Sequence, residues 1–196
     1  MKKIIGVLLY LTLVISGFGQ EFSGGLLLGV CGSQIDGDDQ FKYKKAGLVV
    51  GAFVRRPFSE KAGLKIETYY IGKGAVLNEE HSDGSVEQIF NNTLHYVEMP
   101  FLFDYQLLNK IGIAVGIAPS YLFAHRLTSF RAVVSKDLYD LSSFDIQPMG
   151  QVDFYMTDHL KVGLRLSYSI FDIRKDVLAI WYNNNLSFVL SYKVIK

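Results

Sequence analysis

Eight charged side chains sit inside otherwise apolar stretches of this sequence, and they are its strongest candidates for chemistry: Arg55, Lys65, Glu67, Lys73, Glu98, Asp104, Asp153 and Arg165. Lys65 and Glu67 lie two residues apart, a spacing that puts both on one face of a strand and on different sides of a helix. Cations and carboxylates on a shared enclosed face must pair or be solvated, because an unpaired buried charge is strongly destabilising. Such a set makes either a static salt-bridge plug or a gated polar path, in which opening a pair such as Lys65 with Glu98 would admit ions. Other chemistry is thinner. Asp36-Gly37-Asp38-Asp39 clusters carboxylates without the twelve-residue spacing and terminal Glu of an EF-hand, which favours a solvated turn over a Ca²⁺ site. His81, His95, His125 and His159 have no metal-ligand spacing. His125 near Ser120, Thr128 and Ser129, and the run His81-Ser82-Asp83, lack an orienting partner for catalysis, so no catalytic residue, metal or cofactor is expected.

The elements that must position these charges follow from a period of two. Leu160, Val162, Leu164, Leu166, Tyr168 and Ile170 form one face, and Lys161, Gly163, Arg165, Ser167 and Ser169 the other. Six more segments read the same way, around residues 25–31, 64–73, 97–105, 111–117, 144–156 and 186–194, and an eighth strand is read at 46–56, which is apolar on both faces. Short links at 57–61, 108–110 and 157–159 alternate with long ones at 33–45, 74–92, 126–142 and 172–179. Eight strands, short turns on one side and long loops on the other predict an all-β, eight-stranded antiparallel transmembrane barrel. Pro100, Pro119 and Pro148 fall inside strands, where bulges or missing ladder bonds are expected.

Which face meets water decides between this barrel and a soluble lipocalin-like one. The polar face is largely Gly, Ser and Ala with a few charges, which suits a cramped eight-stranded interior. The other face is bulky Leu, Ile, Val, Phe and Tyr, as lipid requires. Tyr70, Tyr105, Tyr121, Phe123, Trp181 and Tyr182 are expected in interfacial aromatic girdles. Residues 1–19 read as a cleaved signal peptide: Lys2 and Lys3, an apolar run from Ile4 to Ile15, then small residues before Gln20. That run is shorter than the roughly 20 residues a spanning helix needs. Residues 20–196 form the single barrel domain. The chain is 49% hydrophobic and 20% charged, which excludes disorder, and its net charge of +1 gives no basis for binding nucleic acid. One Cys excludes an internal disulfide.

The motifs Leu64-x-x-Glu67-x-x-Tyr70-x-x-Lys73-Gly74, Tyr96-Val97-Glu98-Met99-Pro100-Phe101-Leu102, Gly116-Ile117-Ala118-Pro119-x-Tyr121-Leu122, Leu164-Arg165-x-Ser167-Tyr168 and Asn183-Asn184-Asn185 resemble the PorT-like outer-membrane β-barrel domain family of Bacteroidetes. The resemblance covers the whole mature chain. It implies a Gram-negative outer membrane, a lipid environment, and a structural or accessory role, with secretion-system or surface proteins as partners of the long loops. A monomer is expected. The competing functions are a narrow gated pore for ions or small solutes and an outer-membrane lipid-modifying enzyme.

Overall fold

The computed structural model describes residues 22–37, 43–80, 86–129, 140–175 and 180–195. Nine strands fill them: β1 (Ser23–Asp36), β2 (Lys45–Pro57), β3 (Ala62–Glu80), β4 (Val86–Glu98), β5 (Phe101–Leu108), β6 (Ile111–Ser129), β7 (Phe144–Tyr155), β8 (Leu160–Tyr168) and β9 (Tyr182–Ile195). All pairings are antiparallel, and β1 pairs with both β2 and β9, which closes the sheet into a ring. The ring has eight staves. β4 and β5 are halves of one stave, both lying between β3 and β6 and broken at Met99-Pro100. Pro100 has no N–H to donate, so the ladder lapses there, and single bonds from Glu67 N to the Pro100 carbonyl and from Met99 N to the Pro119 carbonyl bridge the gap. Pro119 pairs with Ile146 without breaking β6. At Pro148 the β7–β8 ladder ends, its last registered pair being Met149 with Ser167.

Side-chain identity aims the two faces. Leu26, Leu28, Val30, Val115, Ile117, Leu164, Leu166 and Phe188 all point outward and are more than half exposed, while Leu27, Arg165, Ser187 and Val189 between or beside them are buried. This inverts a soluble barrel and matches one solvated by lipid. The short turns are tight. In 58–61 the Ser59 Oγ accepts from the amides of Lys61 and Ala62, and in 156–159 the Thr157 Oγ1 accepts from those of His159 and Leu160.

The strands run further than the alternation predicts. Residues 74–92, expected as a loop, are largely strand: β3 and β4 stay paired from Tyr69–Glu98 out to Glu80–Val86, with a bulge at Leu77/Asn78. β6 likewise continues to Ser129 and pairs with β4 as far as Phe90. β3 and β6 have 19 residues each, against the roughly 9–11 that cross a bilayer, so this wall of the barrel stands well past the membrane at the loop end.

Candidate functional site in the barrel lumen

The lumen is largely apolar along β1 and β2, where Leu27, Cys31, Val49 and Phe53 are buried. It is mixed along β3 and β4, where Tyr69, Ile71 and Leu94 stand among Lys65, Glu67, Lys73 and Glu98, and largely polar along β7–β9, with Asp145, Gln147, Gln151, Asp153, Arg165 and Asn185. Close approach fills the space on the apolar side: Gly47 has no side chain, so the Cys31 thiol donates to the Gly72 carbonyl and the Ser33 hydroxyl to that of Gly74.

The eight charges singled out by their spacing lie in this interior in three layers. At the short-turn mouth Arg55 binds Asp104 through Nε and Nη2, both 2.8 Å from Oδ2. Beside them Lys161 Nζ lies 2.9 Å from Asp153 Oδ2, a cation that the spacing did not single out. The middle layer centres on Glu67, which takes Lys65 Nζ at 2.8 Å on Oε1 and Arg165 Nη2 at 2.8 Å on Oε2. Arg165 Nε donates to Gln151, whose amide donates in turn to Asp153, joining the two layers. In the third layer Lys73 is ion-paired with Glu98 and donates to Gln147 Oε1 at 2.9 Å. Tyr69 and Ser120 hydroxyls complete the Glu98 carboxylate at 2.8 and 3.1 Å. Arg165 and Lys73 also sit over the Tyr69 and Tyr96 rings, 5.3 and 5.2 Å from the centroids.

Lys65 does not pair with Glu98. Its partner is Glu67 on the same strand face, while Glu98 takes Lys73. Strand parity identifies which residues share a face, but the ring's register decides which of them meet.

The two mouths differ. At the short-turn end a cavity of about 150 Å³ is lined by Phe53, Arg55, Tyr155, His159, Lys161 and Lys193, and so borders the first ion pairs. At the loop end an apolar cap closes the lumen: Leu141, Ile173 and Trp181 are buried with Ile35, Leu94 and Tyr96 in one cluster. Leu141 bridges to Arg174, the Ile173 amide donates to the Trp181 carbonyl, and Asp172 Oδ1 accepts from the amides of Arg174 and Trp181. Trp181 is therefore part of the cap and not of an outer girdle. Tyr121 with Phe144, and Tyr168 with Tyr182, do form outward-facing ring pairs, with centroids 5.2 and 5.8 Å apart.

The described histidines are engaged in separate places. His95 Nδ1 bonds the Tyr70 hydroxyl on the outer surface, and His159 packs on Tyr192 beside a short turn. Ser120 faces inward and its hydroxyl is committed to Glu98. Asp36 bonds Gln34 and Asn184, while Asp38, Asp39, His81, Ser82 and Asp83 lie outside the described residues. Among the described residues no group of three His, Cys, Asp or Glu side chains is placed to hold a metal ion.

This architecture is shared with solved outer-membrane structures. Ail, the attachment invasion locus protein of Yersinia pestis, superposes with a TM-score of 0.55 at 12% identity over 89% of this chain and 99% of that one. Neisserial surface protein A superposes with a TM-score of 0.55 at 11% identity over 90% and 99%. At such identities the likeness is one of fold. No curated protein matches the chain. The model of the outer membrane protein beta-barrel domain matches residues 18–175. With lipid-facing strands closed into a ring of eight staves, the chain belongs to the outer membrane protein beta-barrel domain family, whose place is the outer membrane of Gram-negative bacteria.

Proposed function

We propose that this protein is a non-conducting, non-catalytic barrel that displays a tall strand wall at the cell surface as an accessory docking element for other surface or secretion proteins. The observation that carries the reading is the contrast between a filled interior and an overlong exterior. The eight lumen charges singled out by their spacing are paired within three successive layers between the short-turn mouth and the cap. Meanwhile β3, β4 and β6 continue as paired strands beyond any length the bilayer requires. Strands past the membrane have no hydrophobic reason to stay long, so contact with something outside is the economical reason for their length. The motif resemblance to PorT-like barrels supports a link to secretion. Export by removal of residues 1–19 belongs to the same proposal, and a mature chain beginning at Gln20 in amino-terminal sequencing tests that part of it.

The functional test is quantitative proteomics of secreted and surface fractions from a deletion strain, complemented by the wild type or by a barrel whose β3–β4 hairpin is trimmed between residues 76 and 92. The reading predicts loss of exported or surface proteins, restored by the wild type and not by the trimmed barrel. Unchanged fractions, or full rescue by a trimmed barrel that inserts normally, would overturn it.

A further inference from the structure

Asp145 differs from every other carboxylate buried in the lumen. It is 2% exposed, and among the described residues no cation pairs with it. Its Oδ2 is crowded with neutral donors: Ser169 Oγ at 2.6 Å, Gln147 Nε2 at 2.7 Å and Asn183 Nδ2 at 3.1 Å. Its Oδ1 is buried with no partner at all, and so are Oδ1 of Asn183 and Oδ1 of Asn185. Reversing the amides does not rescue these oxygens, because charged neighbours fix each orientation. Lys73 requires the Gln147 oxygen toward itself, which turns the Gln147 amide nitrogen onto Asp145 and makes Asn185 present its nitrogen to Gln147 Oε1. Asp145 likewise demands the nitrogen of Asn183. Three acceptor oxygens of one hydrogen-bonded layer are thus left over, one of them charged, beneath the apolar cap. The middle layer shows the opposite excess, with Lys65 and Arg165 sharing the single carboxylate of Glu67.

Orphaned acceptors in a water-excluded space cost free energy unless a donor or a cation meets them. We propose that the Asp145 layer is a binding site for one hard monovalent cation of the Na⁺ type, with Asp145 Oδ1 supplying the charge and the Asn183 and Asn185 amide oxygens the neutral ligands. A single carboxylate with amide oxygens neutralises one charge. Divalent Ca²⁺ draws on six to eight oxygens, typically with several carboxylates among them. The site also has a mechanical consequence. Ser169 and Asn183 are the two stems of the segment that carries Ile173 and Trp181. They bond each other through Ser169 N to the Asn183 carbonyl and Asn183 N to Ser169 Oγ, and both bond Asp145. A cation seated there locks the cap to β7.

The test is unfolding of the refolded full barrel in detergent, read by the unboiled and boiled gel bands, with NaCl, KCl or CaCl₂ exchanged against N-methyl-D-glucamine chloride at constant ionic strength and at pH 6 and 8. At ten times the dissociation constant, Na⁺ should shift the folded-to-unfolded ratio about tenfold relative to N-methyl-D-glucamine. Asp145→Asn should fold and lose that dependence, and Asn185→Ala, which keeps the carboxylate, should need several-fold more Na⁺ for the same shift. A wild type indifferent to the cation but sensitive to pH would assign the carboxyl a proton instead, and one indifferent to both would assign a buried water. Either result overturns the proposal, as does a response to Ca²⁺ alone, or Na⁺ dependence that survives in both variants.

Discussion

Glu67 holds two cations in the middle of a closed barrel, and that fixes what its removal must do. Glu67→Ala leaves Lys65 and Arg165 buried with no counter-charge in their layer. Breaking such a pair from one side costs about 3–5 kcal/mol, and here two cations are stranded by one deletion. We expect the urea midpoint of the folded band to fall accordingly, with Glu67→Gln intermediate because its oxygen still accepts. Arg55→Ala should cost less, since Arg55 lines the short-turn vestibule with its side chain 25% exposed, and its removal opens the buried Asp104 carboxylate to that mouth. Equal losses at the two positions would contradict a layered interior. Sequence spacing singled out these residues because a carboxylate or ammonium interrupting an apolar run on the polar parity has one place to go. It passed over Asp145 and Lys161 because each reads as an ordinary polar alternation, and what sets Asp145 apart is the lack of a cation beside it among the described residues, which only the register displays.

Strands are where sequence and structure agree best within the bilayer and worst beyond it. From Leu160 to Tyr168 one face must meet lipid and the other the lumen, so every second residue is forced and the strand is legible. From Gly74 to Asn92 the outer face of β3 and β4 has left the lipid, both faces tolerate polar residues, and Asn78, Glu79, Asn91 and Asn92 read as loop although they are paired. Trp181 is a related case: an aromatic next to a long loop reads the same whether it faces lipid or folds over the mouth. Two elements give direct tests. A side chain at Gly47 would collide with the Gly72 carbonyl and crowd Cys31 Sγ at 2.9 Å, so Gly47→Val should destabilise by about 3 kcal/mol, near the upper end of overpacking costs. Gly150 has open space where its side chain would be, and Gly150→Ala should change stability by less than about 0.5 kcal/mol. Val115, outward and 56% exposed between the short turn and the Tyr121–Phe144 pair, tests the orientation of the wall. Val115→Arg should cost about 2–4 kcal/mol in bilayers, the penalty of a charge near the midplane. The same change leaving stability untouched would place that face in water.

At the scale of the whole molecule the described residues form a closed ring, with ion pairs above the short-turn vestibule and an apolar cluster at the loop end. The wall of β3, β4 and β6 is overlong, which is why the proposed role lies outside the barrel and not through it. An eight-stave ring has an interior just wide enough for side chains to fill, and here large ones do fill it: Tyr69, Tyr96, Lys65, Lys73 and Arg165 all point inward. The measurement that bears most directly on this account is conductance across planar bilayers, made with barrel whose folding and insertion are first established by a heat-dependent shift in gel mobility. The account predicts an electrically silent membrane for the wild type at moderate voltage. Regular, discrete current steps from folded wild-type barrel would contradict it, and would move the function from the projecting wall to the lumen.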